Sequence, residues 1–142
     1  MKLKPAHILL VEDNEGDILL TLEAFEESKL VSEISVARNG QEALDFLFRK
    51  GSFTQSPKPD LILLDINLPI YNGHEVLRQI KMDSSLKKIP VIMLTTSSNP
   101  KDVNIAYSNH CNSYLKKPLE IEEFFNVIKK IEQFWLQLAI RP

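Results

Sequence analysis

With a single cysteine, Cys111, in 142 residues, the chain can form no internal disulfide and no thiolate metal cluster, and a reducing compartment is its natural setting. Long apolar runs are missing as well. None approaches the ~20 residues that span a bilayer, and Ile8–Val11, behind the N-terminal lysines, is too short for a signal-peptide core. Neither sign of charge dominates: the net charge is -2 and the pI about 5.9, so nothing pulls the chain in bulk toward nucleic acid or an anionic membrane. No internal repeat and no G-x-G-x-x-G occur, and His7, His74 and His110 are scattered without metal spacing and receive no role. These absences leave a cytoplasmic protein, one domain over residues 1–142, as the expectation. A chain of this size buries roughly 68–70% of its unfolded surface, enough for an unaided core.

What is present is a set of short aliphatic runs. Ile8–Val11, Leu61–Leu64 and Val91–Leu94 show no alternation, as expected of strands buried on both faces of a parallel sheet. Ile34–Ala37 and Ser113–Leu115 are weaker candidates that complete five. Helix starts lie between them. Asn14 precedes Asp17 at cap-to-N3 spacing, Asn39 precedes Glu42 in the same way, and Asn99-Pro100 puts proline where a missing N–H costs nothing. A final stripe, Ile121, Phe124, Phe125, Ile128, Ile131, Trp135 and Leu138, recurs at three-to-four spacing. Five βα repeats predict a doubly wound α/β fold.

The chemistry falls at the strand ends. The first run ends in Glu12-Asp13, the third in Asp65, the fourth in Thr95-Thr96 and the fifth in Lys116-Lys117-Pro118. Right-handed crossovers bring all strand C-termini of a parallel sheet to one edge, so these residues meet in one crevice. Each signal alone has an ordinary explanation as a turn former or a solvated lysine, yet such explanations do not account for their common position. Neighbouring carboxylates repel by about 4 kcal/mol per pair at an effective dielectric near 20, and oxygen-only ligands without histidine or cysteine favour a hard cation, Mg²⁺. The segment Asp13–Asp17 is no calcium loop, because its glycine is fourth and no glutamate stands twelfth. A lysine and a hydroxyl beside the cation make sense if an anion such as a phosphoryl group arrives, and Asp65 is the best placed carboxylate nucleophile.

The motifs ILLVEDN, LILLDINLP with Gly73, VIMLTT and YLKKP, in this order and strand context over roughly residues 6–131, resemble the receiver domain of two-component response regulators, the CheY-like fold. The resemblance implies a five-stranded parallel sheet of order 2-1-3-4-5. It implies that Asp65 accepts a phosphoryl group from a sensor histidine kinase. Asp13, Asp65 and the Asn67 carbonyl would bind Mg²⁺, with Glu12 acting through a metal-bound water. Lys117 would pair with the phosphoryl oxygens, and Thr95 and Tyr114 would form the switch. The Lys117–Pro118 bond would be cis. Such a protein is a phosphoacceptor that dephosphorylates itself slowly, not an enzyme acting on others. Two departures stand out: Glu12 replaces the more frequent Asp, and Thr96 is bulkier than the usual Ala or Gly.

Phosphorylation would shift the surface of the fourth helix, fifth strand and fifth helix between two states. The chain ends at Pro142, so output is expected from partner binding, phosphoryl relay or dimerisation, without a DNA-binding segment. The tail at about 132–142 is apolar; Trp135 and Leu138 continue the core stripe, whereas Phe134, Leu136 and Ile140 fall off it, which points to a homodimer interface. The tail and Glu12–Glu27 also resemble single-domain regulators paired with phytochrome-type kinases. Rival readings are a pseudo-receiver acting as a constitutive binding module, a phosphatase with an Asp nucleophile, and a flavin- or dinucleotide-binding domain. The first would lack one of the acids or the lysine. The second would carry a second acid where Asn67 stands, and the third would not place acids in its first loop.

Overall fold

A computed structural model describes residues 5–140. The expected strands form, β3 with the expected bounds and the others longer by one to three residues: β1 (Ala6–Val11), β2 (Val31–Ala37), β3 (Leu61–Leu64), β4 (Val91–Thr95) and β5 (Ser113–Lys116). All pairs are parallel and the order is β2-β1-β3-β4-β5. Helices α1 (Glu15–Phe25), α2 (Gly40–Leu47), α3 (Gly73–Met82), α4 (Pro100–Ser108) and α5 (Ile121–Ile131) connect and follow the strands.

Asparagine starts four of the five helices. The side chains of Asn14, Asn39, Asn72 and Asn99 accept from the backbone N–H of Asp17, Glu42, Glu75 and Lys101, each satisfying a donor that a helix start leaves unpaired. Two helix ends close without glycine. Arg49 (φ 55) after α2 and His110 (φ 67) after α4 take the left-handed turn, with Lys50 N–H bonded to the Asp45 carbonyl and Cys111 N–H to that of Ala106.

Alternate strand residues feed two cores. Leu9, Val11, Ile62, Leu64 and Met93 pack with Phe46, Leu77 and Ile80 of α2 and α3. Ile8, Leu10, Leu63, Ile92 and Leu94 pack on the other face with Ile18, Phe124 and Ile128 of α1 and α5. This two-sided burial is why the strands read as continuous aliphatic runs.

The tail departs from the expected stripe. Beyond α5 the chain winds as a π-helix over Glu132–Leu138, closed by Ala139 N–H to the Phe134 carbonyl at 2.8 Å. Each residue of a π-turn rotates less about the axis than in an α-helix, so the apolar phase slips. Leu136, expected off the stripe, is 1% exposed in the core, and Leu138, expected on it, is 72% exposed. Trp135 is half-buried against the α1/α5 core as expected. Ile121, the first residue of the stripe, is exposed at the helix start.

His7 on β1 is buried. Its Nε2 lies 2.8 Å from Ser35 Oγ, its ring meets Phe46 edge-on, and Nδ1 finds no partner among the described residues. Burial depresses its pKa below the usual histidine range, against the opposing pull of Glu33 and Asp60.

Two outcomes follow from this packing. Leu136→Ala should lower unfolding stability by about 2–4 kcal/mol, whereas Leu138→Ala should stay within about 0.5 kcal/mol; urea titration of both variants tests the π-turn phase. For His7, the unfolded chain holds more protons than the folded one just below the ordinary histidine pKa. Stability from this group is therefore complete above that value and is lost as pH falls through it. The urea midpoint of the wild type should drop from pH 7.5 to 5.5, and His7→Gln should flatten that drop; equal drops in both proteins would exclude His7 as the source.

Candidate functional site

Strand register assembles the edge. Val11 pairs with Leu64 across β1 and β3, so Glu12 and Asp65 leave the sheet side by side. Thr95 pairs with Lys116 across β4 and β5, which sends Lys117 out one step beyond Thr95. Backbone bonds hold the exits: Asp65 N–H to the Val11 carbonyl at 3.1 Å and Lys117 N–H to the Thr95 carbonyl at 2.7 Å. Gly73 fixes the start of α3 against this edge, because a Cβ there would stand 2.1 Å from the Asp65 carbonyl oxygen.

Glu12, Asp65, Thr95 and Lys117 are buried, whereas Asp13, Asn67, Thr96 and Lys116 are exposed. Carboxylate oxygens of Glu12, Asp13 and Asp65 lie within 4.8 Å of one another. The donor set is all oxygen and crowded with negative charge, which fits a hard divalent cation and no soft one. Asn67 lies two residues past Asp65 on the exposed β3–α3 loop.

Lys117 lies at the centre. Its Nζ pairs with Glu12 Oε1, with Asp17 Oδ2 at 2.9 Å and with Asp65 Oδ2 at 3.0 Å. Burial alone would depress the lysine, but its hydrogen bond to Glu12 and the charges of Asp65 and Glu12 outweigh it and hold the ammonium above the ordinary lysine range. For Glu12, burial dominates and pushes the carboxyl above the usual carboxylate range. The second Glu12 oxygen accepts from the Asp13 and Asn14 N–H groups, and Asp65 Oδ1 accepts from Ile66 N–H at 2.7 Å. The paired acids and the lysine therefore compensate one another in a place where a lone charge would be costly.

Asp17 was not among the residues expected here; in sequence it reads as the N3 partner of the Asn14 cap. Its spacing of four from Asp13, one face of a helix start, is the signal that could have found it. Thr95 is fully buried, its Oγ1 accepting from Ser97 N–H at 3.4 Å. The Tyr114 hydroxyl donates to the Ser97 carbonyl at 2.8 Å, and its ring packs against the α2/α3/α4 core. The Lys117–Pro118 bond is trans, contrary to expectation; trans is the lower isomer of such a bond by ≈ 0.5–1 kcal/mol. Ile70 in the β3–α3 loop sits at φ 72, a region that costs a β-branched residue on the order of 1–3 kcal/mol.

The chain matches the family described as the response regulator receiver domain over residues 8–129. It is 44% identical over 138 residues to the response regulator Rcp1 of Synechocystis sp., covering 97% of this chain and 94% of that protein. A crystal structure of the phosphorylated cyanobacterial phytochrome response regulator RcpA superposes with a TM-score of 0.95 at 43% identity, covering 98% of this chain and 99% of that one. The Mn²⁺-bound form of Rcp1 does so with a TM-score of 0.93, again at 43% identity, covering 97% of this chain and 99% of that one. Sequence match, strand order and acidic corner agree, and the chain belongs to the response regulator receiver domain family of two-component signalling.

Proposed function

We propose that Asp65 accepts a phosphoryl group from a phosphohistidine of a sensor histidine kinase, with Mg²⁺ held by Asp13, Asp65 and the Asn67 carbonyl and with Glu12 acting through a metal-bound water. One observation carries the reading: the buried Asp65 carboxylate lies 3.0 Å from the Lys117 ammonium, inside an acidic trio spaced for one cation. An Asp65 oxygen attacks phosphorus, the P–N bond to the donor imidazole breaks, and its electron pair stays on the imidazole. Mg²⁺ supplies neutralisation of the charge that spreads over the equatorial oxygens. Lys117 moves its ammonium from the carboxylates to the incoming phosphoryl oxygens, and Thr95 donates its hydroxyl to another. The added group brings about -1.5 to -2 charge, which shifts Thr95 and Tyr114 and with them the α4–β5–α5 surface.

The partner kinase is of phytochrome type in this reading, supported by the likeness to Rcp1 and RcpA. The whole chain acts as one receiver domain with an apolar extension, in a cytoplasmic setting consistent with the free, buried Cys111. Among the described residues no helix is long and apolar enough to cross a membrane. The tail also supports a homodimer. Phe134, Leu138 and Ile140 are 55%, 72% and 99% exposed, a concentration of apolar surface that marks an interface. Leu136, expected in that patch, instead belongs to the core.

Intact-mass spectrometry after acetyl phosphate should register one added phosphoryl group only with Mg²⁺ present and Asp65 intact; Asp65→Asn should gain nothing. No gain in any condition would replace this reading by that of a pseudo-receiver acting as a binding module. In sedimentation equilibrium, Phe134→Ser/Leu138→Ser should halve the mass of the wild type, and an unchanged mass would remove the tail from the interface.

A further inference from the structure

A second polar chain crosses the same edge of the sheet and is separate from the acidic corner. It begins at His74, directly after the Gly73 that presses α3 onto Asp65. The half-buried His74 ring places Nε2 at 3.0 Å from Asp102 Oδ1 on α4, so an N–H at Nε2 donates to the carboxylate. The other ring nitrogen, Nδ1, is buried and finds no partner among the described residues. The second Asp102 oxygen accepts from the Ser97 hydroxyl at 2.6 Å. Ser97 in turn offers its carbonyl to the Tyr114 hydroxyl and its N–H to Thr95. Five elements are thus tied: α3, α4, the β4–α4 loop, β5 and, through Thr95, the end of β4.

The weight of this series depends on how else α4 is held. Of the nine residues of α4 only Ala106 is buried, so little apolar packing fixes where the helix and its preceding loop sit. Elements with few buried contacts occupy the low-stability end of a structure and respond to single polar bonds. Asp102 is suited to the task, since its hydrogen bonds from Ser97 and His74 hold the carboxyl below the usual range and keep it charged. Its exposed neighbour Lys101 adds only a minor attraction.

We propose that His74 and Asp102 are a positioning pair: Asp102, gripped by His74, fixes Ser97 and thereby the carbonyl that receives the Tyr114 hydroxyl, so that this pair holds Tyr114 in the orientation bonded to Ser97. The role of that Tyr114 contact in signalling rests on the receiver reading; the pair itself does not. Phosphoryl chemistry at Asp65 would reach α4 along this series, through α3 on one side and Thr95 on the other.

The test is fluorine NMR of full-length, unphosphorylated protein carrying 3-fluorotyrosine, with the resonances of its three tyrosines assigned by Tyr→Phe substitutions. His74→Leu and Asp102→Ala should each move the Tyr114 resonance toward one common position. The population with the Tyr114 hydroxyl on the Ser97 carbonyl should fall about threefold, the scale of one net hydrogen bond. The double variant should move it no further than the larger single, and His74→Arg, which also pairs with a carboxylate, should restore the wild-type position. Ser97→Ala removes the hydroxyl that donates to Asp102 and accepts from Asn99 N–H but keeps the carbonyl, so it carries the test should a longer side-chain loss unfold the protein. A Tyr114 resonance unmoved in these variants, or single effects that simply add, would overturn the pair. Acetyl phosphate applied to the same samples reads Asp65 chemistry separately, so loss of phosphoryl uptake would strike the receiver reading and leave the outcome for the pair intact.

Discussion

A buried ammonium among three carboxylates is the contact on which the functional edge depends. Lys117 touches Glu12, Asp17 and Asp65, groups contributed by the end of β1, the first turn of α1 and the end of β3. Taking any one of these charges out of water unpaired would cost several kcal/mol. Without the lysine the acids would repel one another, and without the acids the lysine could not stay buried. The arrangement is therefore stable only as a set, and it is poised for exchange. Glu12, Asp13 and Asp65 would hold a divalent cation, and the Lys117 ammonium would then be free to meet an anion; a phosphoryl group is an anion of matching reach.

That set exists because the sheet register is tight. A slip of one residue in β1 or β3 would turn Leu9, Val11, Ile62 and Leu64 from one core to the other and separate Glu12 from Asp65 in the same step. Packing on both faces thus enforces the geometry of the edge, although no core residue takes part in its chemistry. Gly73 adds a second constraint, since the start of α3 can lie against the Asp65 backbone only if that residue has no side chain.

The legible parts of the molecule were those with local signals. Strands buried on both faces announce themselves as aliphatic runs, and the acids, threonine and lysine stand directly after them. The Asn14, Asn39 and Asn99 caps were visible for the same reason, while Asn72 lies in a loop where turn and cap chemistry look alike. The phase of the tail was not legible, because an apolar stripe presumes 3.6 residues per turn and nothing in Glu132–Leu138 declares a π-turn. With four glycines in the chain, the left-handed ends of α2 and α4 fall to Arg49 and His110, which carry no such label. Asp17 was hidden behind its cap position, and the His74–Asp102 contact joins residues 28 apart on two helices, a relation that only the fold creates.

Those hidden contacts bear on how the edge communicates. The acidic corner is rigid, with strands packed on both sides, whereas α4 rests on one buried alanine and a few polar bonds. A charge added at Asp65 would meet a core that does not deform continuously and a neighbouring helix that can move as a unit. The displacement would then be taken up at the largely exposed β4–α4 loop, whose Ser97 is bonded to Thr95, Asp102 and Tyr114 together. Coupling of this kind needs a discrete element with two arrangements that both ends can bias. In the proposed function that element would be the loop, and the direction of the response would follow from which of the Ser97 bonds to Thr95, Asp102 and Tyr114 the new charge competes with. Of these partners Thr95 ends β4 at the same sheet edge as Asp65, so in the proposed function the bond most exposed to competition would be the one at Thr95, and Tyr114 would be the group that answers.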